Sequence, residues 1–252
     1  MCTLIALHRC IAGAPLVVAA NRDEFFERPA EGPSVRRSPW GPIVAPRDVR
    51  AGGTWLGVNA HGVFAALTNR RCAEPDPTRR SRGLLVLEAL AAPDAAEAAG
   101  ALEGLPIDAY NPFNLLVADG ATAHLVTYEG KAERFDLEAG AHVVGNVHPS
   151  DRSGKLERLR RDVLRASAAP SSSVLDELAG VCRSHVGDGP LDSACVHTSS
   201  YGTRSSVLLR IGGPGERELR YAEGPPCRNP YRDFTALFGA LDPVGSAERA
   251  TT

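Results

Sequence analysis

The order of secondary-structure patterns limits the folds open to this chain of 252 residues. Short apolar strand patterns, joined by tight turns, form three blocks, and a pair of helix patterns separates each block from the next. No internal repeat is visible. Because strands outnumber helices, the pattern predicts an α+β protein with antiparallel sheets and helices layered outside them. No strong linker divides the chain, so we expect one domain over residues 1–241 and a disordered tail over residues 242–252.

The individual elements follow from hydrophobic periodicity and turn residues. The predicted strands cover residues 3–9, 16–20, 43–46, 54–59, 63–68, 114–119, 123–128, 132–136, 141–146, 195–199, 205–211 and 218–222. The predicted helices cover residues 83–91, 94–103, 154–168 and 174–184, and we expect Ser81 to cap the first. The third helix is predicted to bury Leu156, Leu159, Val163 and Leu164 on one face. The proline-rich residues 28–42 are predicted to be an irregular excursion.

Composition excludes several functional classes. A net charge of −2 does not indicate a protein that binds nucleic acid or a membrane surface. No stretch reaches the roughly 18 apolar residues of a membrane span, so we expect a cytoplasmic protein, with a homo-oligomer left open. The histidines show no metal-binding spacing and no two cysteines form a C-x-x-C pair, so neither a metal nor a cofactor is predicted. Reduced thiols are the expected state of Cys2, Cys10, Cys72, Cys182, Cys195 and Cys227.

Cys2 directly follows the initiator methionine. If Met1 is removed, Cys2 carries a thiol and a free α-amine on the same residue. An α-amine titrates near pH 8, so a useful fraction is neutral at physiological pH and can accept a proton. A single residue could then start an acyl-transfer reaction, although a free cysteine is more often a small buried hydrophobe.

Residues 21–24, Asn-Arg-Asp-Glu, end the second predicted strand. A strand alternates its faces, so Arg22 and Glu24 should point one way and Asn21 and Asp23 the other. The segment is either a solvated charged turn or a cation and a carboxylate beside the nucleophile. An antiparallel partner of the first strand ends close to where that strand begins, which favours placing residues 21–23 next to Cys2.

Four further segments allow two interpretations each. Residues 52–59 contain a glycine pair before Trp55, which suits either a plain hairpin or a close approach to a ligand. Asn69 and Asn146 each end a strand, where they close a turn or donate an amide N–H to an oxyanion. Arg204, in residues 201–206, either clamps an anionic group or forms a structural ion pair.

Taken together and in this order, these segments resemble the NRDE family, also called the transport and Golgi organisation 2 family. The matching segments are residues 1–3, 21–24 with 28–29, 53–59, 67–70, 81–83, 110–116 and 201–205. The family resembles the N-terminal nucleophile (Ntn) hydrolases, which implies a four-layer α-β-β-α sandwich. Cysteine members of that class include penicillin V acylase and bile salt hydrolase.

The resemblance also implies site residues. By position, the catalytic roles of those hydrolases would fall to Cys2, Arg22, Asp23, Asn146 and Arg204. We further expect substrate contacts from Asn21, Trp55, Asn69 and Tyr201. Arg22 and Asp23 are adjacent here, whereas the hydrolases separate the two, and the match of Asn146 rests on local context.

The resemblance implies hydrolysis of a linear amide through a thioester on Cys2. The alternative is a non-catalytic carrier of haem, or of acyl-CoA or lipid, because some family members are linked to such trafficking. A glutamine-amidotransferase-like activity is a third, weaker implication. The substrate is not predicted; the basic loop 70–82 either rims the pocket and favours an anionic group or is simply solvated.

Overall fold

A computed structural model describes residues 2–213 and 215–241 of the chain. The strands are β1 (Thr3–Ile11), β2 (Ala14–Phe25), β3 (Ala30–Ser38), β4 (Gly41–Asp48), β5 (Leu56–Asn59), β6 (Phe64–Asn69), β7 (Phe113–Ala118), β8 (Ala123–Glu129), β9 (Lys131–Asp136), β10 (Gly140–Val144), β11 (Tyr201–Ile211), β12 (Arg217–Glu223) and β13 (Arg232–Asp233). The helices are α1 (Arg82–Ala89), α2 (Ala95–Glu103), α3 (Gly154–Ser167) and α4 (Val174–Arg183), and a 3₁₀ helix covers Thr235–Ala240.

These strands form two sheets, and all their pairings are antiparallel. The first sheet has the order β10-β1-β2-β11-β12-β13 and the second the order β3-β4-β5-β6-β7-β8-β9. The predicted α+β class with antiparallel sheets is therefore confirmed. The amino-terminal strand β1 is an interior strand, hydrogen-bonded to β10 on one side and to β2 on the other.

Three buried clusters hold the layers together. The middle cluster joins the sheets, with Leu4 and Val18 from the first and Phe64 from the second. Because successive strand residues face opposite sides, Ile5 points the other way, into the cluster that α3 and α4 cover. The third cluster lies between the second sheet and the helices α1 and α2. The result is the four-layer α-β-β-α sandwich that the resemblance implied.

Two local predictions about strands are wrong. Residues 30–38 form β3 within the proline-rich excursion; β3 is an edge strand, and the pairing register shifts between Glu31 and Ser34, around Pro33. An edge strand at a register irregularity tolerates a residue without an N–H. Residues 195–199 form no strand, and only an isolated pairing between His197 and Gly202 remains of it.

Two predictions about helices also need correction. Leu164 is 60% exposed, because the buried stripe of α3 continues from Val163 to Ala166. Ser81 holds the N-cap position of α1 but its side chain makes no capping bond, whereas Asp94 accepts a 2.8 Å bond from the Glu97 N–H at the start of α2. The predicted disordered tail lies outside the described residues. Within residues 2–213 and 215–241, the helices are too short or too polar to serve as membrane spans.

Candidate active site

Cys2 lies at one end of the first sheet, one residue before β1 begins. Because Thr3 pairs with Asn21 across the β1–β2 hairpin, Cys2 comes beside the last residues of β2. Its Sγ lies 3.9 Å from the carbonyl oxygen of Asp23. The thiol is half-buried and lines a cavity of about 290 Å³. The hairpin argument from the sequence thus correctly placed residues 21–23 next to Cys2.

The environment of Cys2 favours the protonated thiol. Burial raises the pKa of Cys2, and the negative charge of Asp23 raises it further, while Arg22 opposes the shift. A thiol with a raised pKa is a poor nucleophile by itself, because the thiolate is the attacking form. Chemistry at this position therefore needs a base close to the sulfur.

Asp23 is a buried carboxylic acid next to that sulfur. The Thr203 hydroxyl donates a 2.6 Å bond to Asp23 Oδ1, and the Tyr201 hydroxyl donates a 2.8 Å bond to the Asp23 carbonyl oxygen. Burial raises the pKa of Asp23 to about 6, although the charge of Lys155 and the Thr203 bond pull that pKa down. Asp23 therefore changes charge in the mildly acidic range. A side chain with such a pKa in a cleft is a mark of functional sites.

Arg22 and Trp55, predicted as a catalytic residue and a substrate contact, both line the cavity. The Arg22 guanidinium carbon lies 4.5 Å from the centre of the Trp55 ring, a cation–π contact. Glu24 pairs with Arg22 at 3.8 Å, so the alternation of residues 21–24 is as predicted. Burial lowers the pKa of Arg22, but a guanidinium stays protonated, and a fixed positive charge therefore faces Cys2.

Lys155 is a functional candidate that sequence reasoning missed. It lies in the first turn of α3 and is only 7% exposed, and its Nζ has no hydrogen-bond partner among the described residues. Burial lowers the pKa of Lys155, while the charges of Asp23 and Cys2 raise it. Lys155 is one of only two lysines in the chain, with Lys131. That rarity was visible in the sequence, but its position under the site was not.

Asn69 and Asn146 lie in different positions relative to the cavity. Asn69 lines the cavity with its exposed side chain. Asn146 is buried outside the cavity lining, and its side-chain Nδ2 donates a short bond to the Asn69 carbonyl oxygen. The Asn146 carbonyl oxygen also accepts a 3.0 Å bond from the Arg71 N–H. Asn146 therefore supports the backbone of Asn69, and of the two residues it is Asn69 that lines the cavity.

Asn21 and Arg204 do not join the cavity through their side chains. The Asn21 amide donates two 2.9 Å bonds, to the carbonyls of Cys182 and Ala194, which tie β2 to α4 and the loop beyond it. Arg204 is the extra residue of a bulge between β11 and β2, where Thr203 pairs with Asp23 and Ser205 with Arg22. Its guanidinium lies over the Phe26 ring in a separate pocket. The resemblance had implied Arg204; Thr203, which faces Asp23, could not be predicted because a bulge is not visible in an alternation pattern.

The basic loop before α1 does rim the cavity. The cavity is lined by six arginines and four carboxylates, namely Arg22, Arg28, Arg50, Arg79, Arg80 and Arg82 with Asp23, Glu24, Asp48 and Asp76. Arg28 pairs with Asp48 at 2.6 Å, and Arg80 pairs with Glu88. Arg82 is half-buried and donates a 2.8 Å bond to the Pro112 carbonyl, and no described carboxylate lies within ion-pair distance of it. Its charge is therefore available to an anionic group.

Comparison with known proteins gives this site a family context. The family model for Transport and Golgi organisation 2 matches residues 1–223. The chain belongs to the Transport and Golgi organisation 2 family. The mouse Transport and Golgi organization 2 homolog shares 27% identity with this chain, and the human Transport and Golgi organization protein 2 homolog shares 28%. Each match runs over 235 residues and covers 79% of this chain and 83% of the relative.

Solved structures similar to this member of the Transport and Golgi organisation 2 family carry the same fold at low sequence identity. The Caenorhabditis elegans ortholog of N-acylethanolamine-hydrolyzing acid amidase matches with a TM-score of 0.54 and 11% identity, over 83% of this chain and 92% of that one. The C2A mutant of conjugated bile acid hydrolase from Clostridium perfringens matches with a TM-score of 0.54 and 14% identity, over 94% of this chain and 93% of that one. The family resemblance and the Ntn-hydrolase-like fold expected from the sequence are thereby confirmed.

Proposed function

We propose that this protein is an Ntn-type cysteine amidohydrolase that cleaves a linear C–N amide bond. One observation carries the proposal: the Cys2 sulfur lines the cavity beside a buried carboxylic acid, Asp23, which two side chains of β11 hold in place. The similarity to structures of amide-cleaving enzymes supports the fold for this chemistry and leaves the reaction to experiment.

The reaction would run in two halves. After removal of Met1, the neutral α-amine of Cys2 accepts the thiol proton, directly or through water, and the thiolate attacks the amide carbonyl carbon. The C–N bond then breaks, the leaving amine takes the proton from the α-ammonium, and the acyl group stays on sulfur as a thioester. Water, deprotonated by the same amine, cleaves the thioester and releases a carboxylic acid. Ionised Asp23 would orient the amine and stabilise it while it carries the proton.

Asn69 is the proposed donor to the oxyanion, because the Cys2 nitrogen already serves as the base. Asn69 is chosen over Asn146 because it is exposed and lines the cavity, whereas the Asn146 amide is committed to the Asn69 backbone. Removal of one such donor typically lowers the rate on the order of 10²- to 10³-fold.

Arg82 indicates the kind of substrate. A half-buried guanidinium without a described carboxylate partner suits an acidic group on the substrate, through charge-assisted hydrogen bonds. We therefore expect an amide that carries a carboxylate or phosphate near the scissile bond.

The test is a panel of N-acyl amides in matched pairs, one member anionic and one neutral. Wild-type protein should hydrolyse an anionic member, and the Cys2→Ala variant should lose turnover while its circular dichroism spectrum is unchanged. Cys10→Ser, which alters an exposed cysteine, is the control. With a slow substrate, intact mass should show one acyl group on Cys2. Full turnover by Cys2→Ala would remove Cys2 from the mechanism.

The carrier alternative has its own readout. Among the described residues that line the cavity, Cys2 is the only side chain of a type that commonly ligates haem iron. Stoichiometric haem binding that is lost in Cys2→Ala, together with no turnover across the panel, would favour the carrier over the hydrolase.

A further inference from the structure

Four metal-ligating side chains converge away from the Cys2 cavity. They come from two segments: three from the loop that joins α4 to β11, and one from the turn after β12. Their ligand atoms all lie within 4.8 Å of one another, and the residues are His185, Cys195, His197 and Cys227. We call this group the His/Cys cluster.

The separations within the cluster are those of a tetrahedral ion's ligands. Cys195 Sγ lies 3.6 Å from Cys227 Sγ and 3.6 Å from His197 Nε2, and His197 Nε2 lies 3.2 Å from Cys227 Sγ. Tetrahedral Zn²⁺ binds sulfur at about 2.3 Å and nitrogen at about 2.0–2.1 Å, which places its ligand atoms roughly 3.4–3.8 Å apart. The three measured separations thus fit around one ion with adjustments of a few tenths of an ångström.

His185 has the second contact that metal-bound histidines commonly show. Its Nδ1 lies 3.2 Å from the Cys195 carbonyl oxygen. A bond donated from Nδ1 to this carbonyl fixes the tautomer and leaves Nε2 as the ligand. The same residue, Cys195, thereby supplies one ligand to the site and orients another.

The geometry points to a structural Zn²⁺ site formed by His185, Cys195, His197 and Cys227. Two thiolates and two imidazoles in tetrahedral arrangement are a donor set typical of zinc. Two thiolates also balance the charge of the ion. Because four protein ligands complete the coordination, the site has no open position for a substrate. Sequence spacing predicted no metal, since the ligands stand 10, 2 and 30 residues apart and match no common zinc motif.

The zinc site would affect Asp23, beside Cys2, through Thr203. The Val196 N–H, between two of the ligands, donates a 2.9 Å bond to Thr203 Oγ1, and the Thr203 N–H donates a 2.9 Å bond to the Val196 carbonyl. The Thr203 hydroxyl in turn donates to Asp23. The ion would therefore hold the segment that positions Thr203. This consequence for turnover rests on the proposed function, but zinc binding does not.

The experiment measures metal directly. Protein purified without added chelator should contain about one zinc per chain by plasma mass spectrometry, and Cys227→Ser should lower that content at least 10-fold. Cys10→Ser is the matched control and should keep its zinc. Cobalt added to metal-stripped wild-type protein should give the intense visible bands of a tetrahedral, thiolate-bound Co²⁺; this readout needs no variant to fold.

Two results would overturn the site. One is wild-type protein without zinc that gives no tetrahedral cobalt spectrum. The other is metal-free protein lighter by two hydrogens, with Cys195 and Cys227 joined as a disulfide, that fails to take up metal after reduction. The Cys2→Ala variant should keep full zinc, so failure of the amidohydrolase proposal and failure of the zinc proposal are separately visible.

Discussion

Asp23 is the residue at which pH should act most directly on this site. Its carboxyl has a pKa of about 6 because burial disfavours the charged form. If ionised Asp23 orients the Cys2 amine, kcat/KM should fall as the pH drops through about 6. Asp23→Asn should abolish this acid limb and lower the rate by roughly 10²-fold or more. A pH–rate profile of both proteins is the measurement, with the surface variant Asp162→Asn as the control; an unchanged acid limb in Asp23→Asn would contradict the role.

The raised pKa of Asp23 also predicts how the stability of the fold depends on pH. Since the folded-state pKa of Asp23 lies above the ordinary value of 3.8, the folded state binds the proton more tightly than the unfolded state. Its contribution is therefore fully present below about pH 4 and is lost as the pH rises through about 6, a loss of about 3 kcal/mol. Urea denaturation of Asp23→Asn should show a smaller decrease in the free energy of unfolding over this window than wild type.

Lys155 should tune Asp23 from beneath the site. Its positive charge lowers the pKa of Asp23, so Lys155→Met should raise that pKa and move the acid limb of the pH–rate profile to higher pH. Lys131→Met, which changes the only other lysine and lies on the exposed part of β9, should leave the profile in place. A purely structural role for Lys155 would lower activity at every pH without moving the limb.

At the scale of elements, a contact between two glycines sets the position of α1. A Cβ on Gly53 would lie 2.4 Å from the Gly83 carbonyl carbon, and the Thr54 N–H donates a 3.1 Å bond to the Gly83 carbonyl oxygen. This contact brings the first turn of α1, with Arg82, to the cavity. Gly53→Ala must separate the two backbones.

We therefore expect Gly53→Ala to lower the free energy of unfolding by roughly 1–3 kcal/mol and to weaken binding of anionic substrates. Gly100 is exposed in α2, and a Cβ added there would meet no atom within 4 Å, so Gly100→Ala should raise the free energy of unfolding by about 1 kcal/mol. Denaturant titrations of the two variants check both signs; equal stability of Gly53→Ala and wild type would contradict the tight contact.

Element prediction from the sequence succeeded where one periodicity dominated. All four helices came close to their observed bounds, because apolar spacing there had a single interpretation. The β1–β2 hairpin was predicted too, but β2 continues to Phe25, past the predicted end at residue 20, because β11 pairs with its polar end. Prediction failed where tertiary pairing decided the outcome. The strand β3 exists because an edge position tolerates Pro33, and Thr203 reaches Asp23 because β11 bulges at Arg204. Neither the edge position nor the bulge leaves a mark in the local sequence.

At the scale of the whole molecule, the residues that adjoin Cys2 along the β1–β2 hairpin could be predicted from the sequence. The residues that support them from distant parts of the chain could not. Cys2 and Asp23 are brought together by a hairpin whose turn is visible in the sequence. Lys155, Thr203 and the His/Cys cluster come from residues far along the chain, and one sequence contains no information about such distances. Asn146 shows the same limit, since its commitment to the Asn69 backbone depends on how β6 and β10 end side by side.

Processing of the amino terminus should decide whether the whole molecule is active. We expect the purified active protein to lack Met1. If Met1 is retained, the free α-amine belongs to Met1, and the Cys2 nitrogen is an amide that cannot serve as the base. Intact mass spectrometry of active protein is the measurement. A variant in which residue 2 is preceded by a bulky uncleaved extension should be folded and inactive; active protein that retains Met1 would exclude the α-amine of Cys2 as the base.

The long separation between Cys2 and its supporting residues also bears on biosynthesis. The bonds from Tyr201 and Thr203 to Asp23 span 178 and 180 residues. At a synthesis rate of roughly 5–20 residues per second, about 10–40 s pass before β11 can follow β2 out of the ribosome. Cys2 and Asp23 are thus among the first residues of the chain to be made, and the side chains that bind Asp23 are among the last. During that interval the nascent chain carries an exposed cysteine without the pocket that restrains it, and maturation of the terminus can precede assembly of the site.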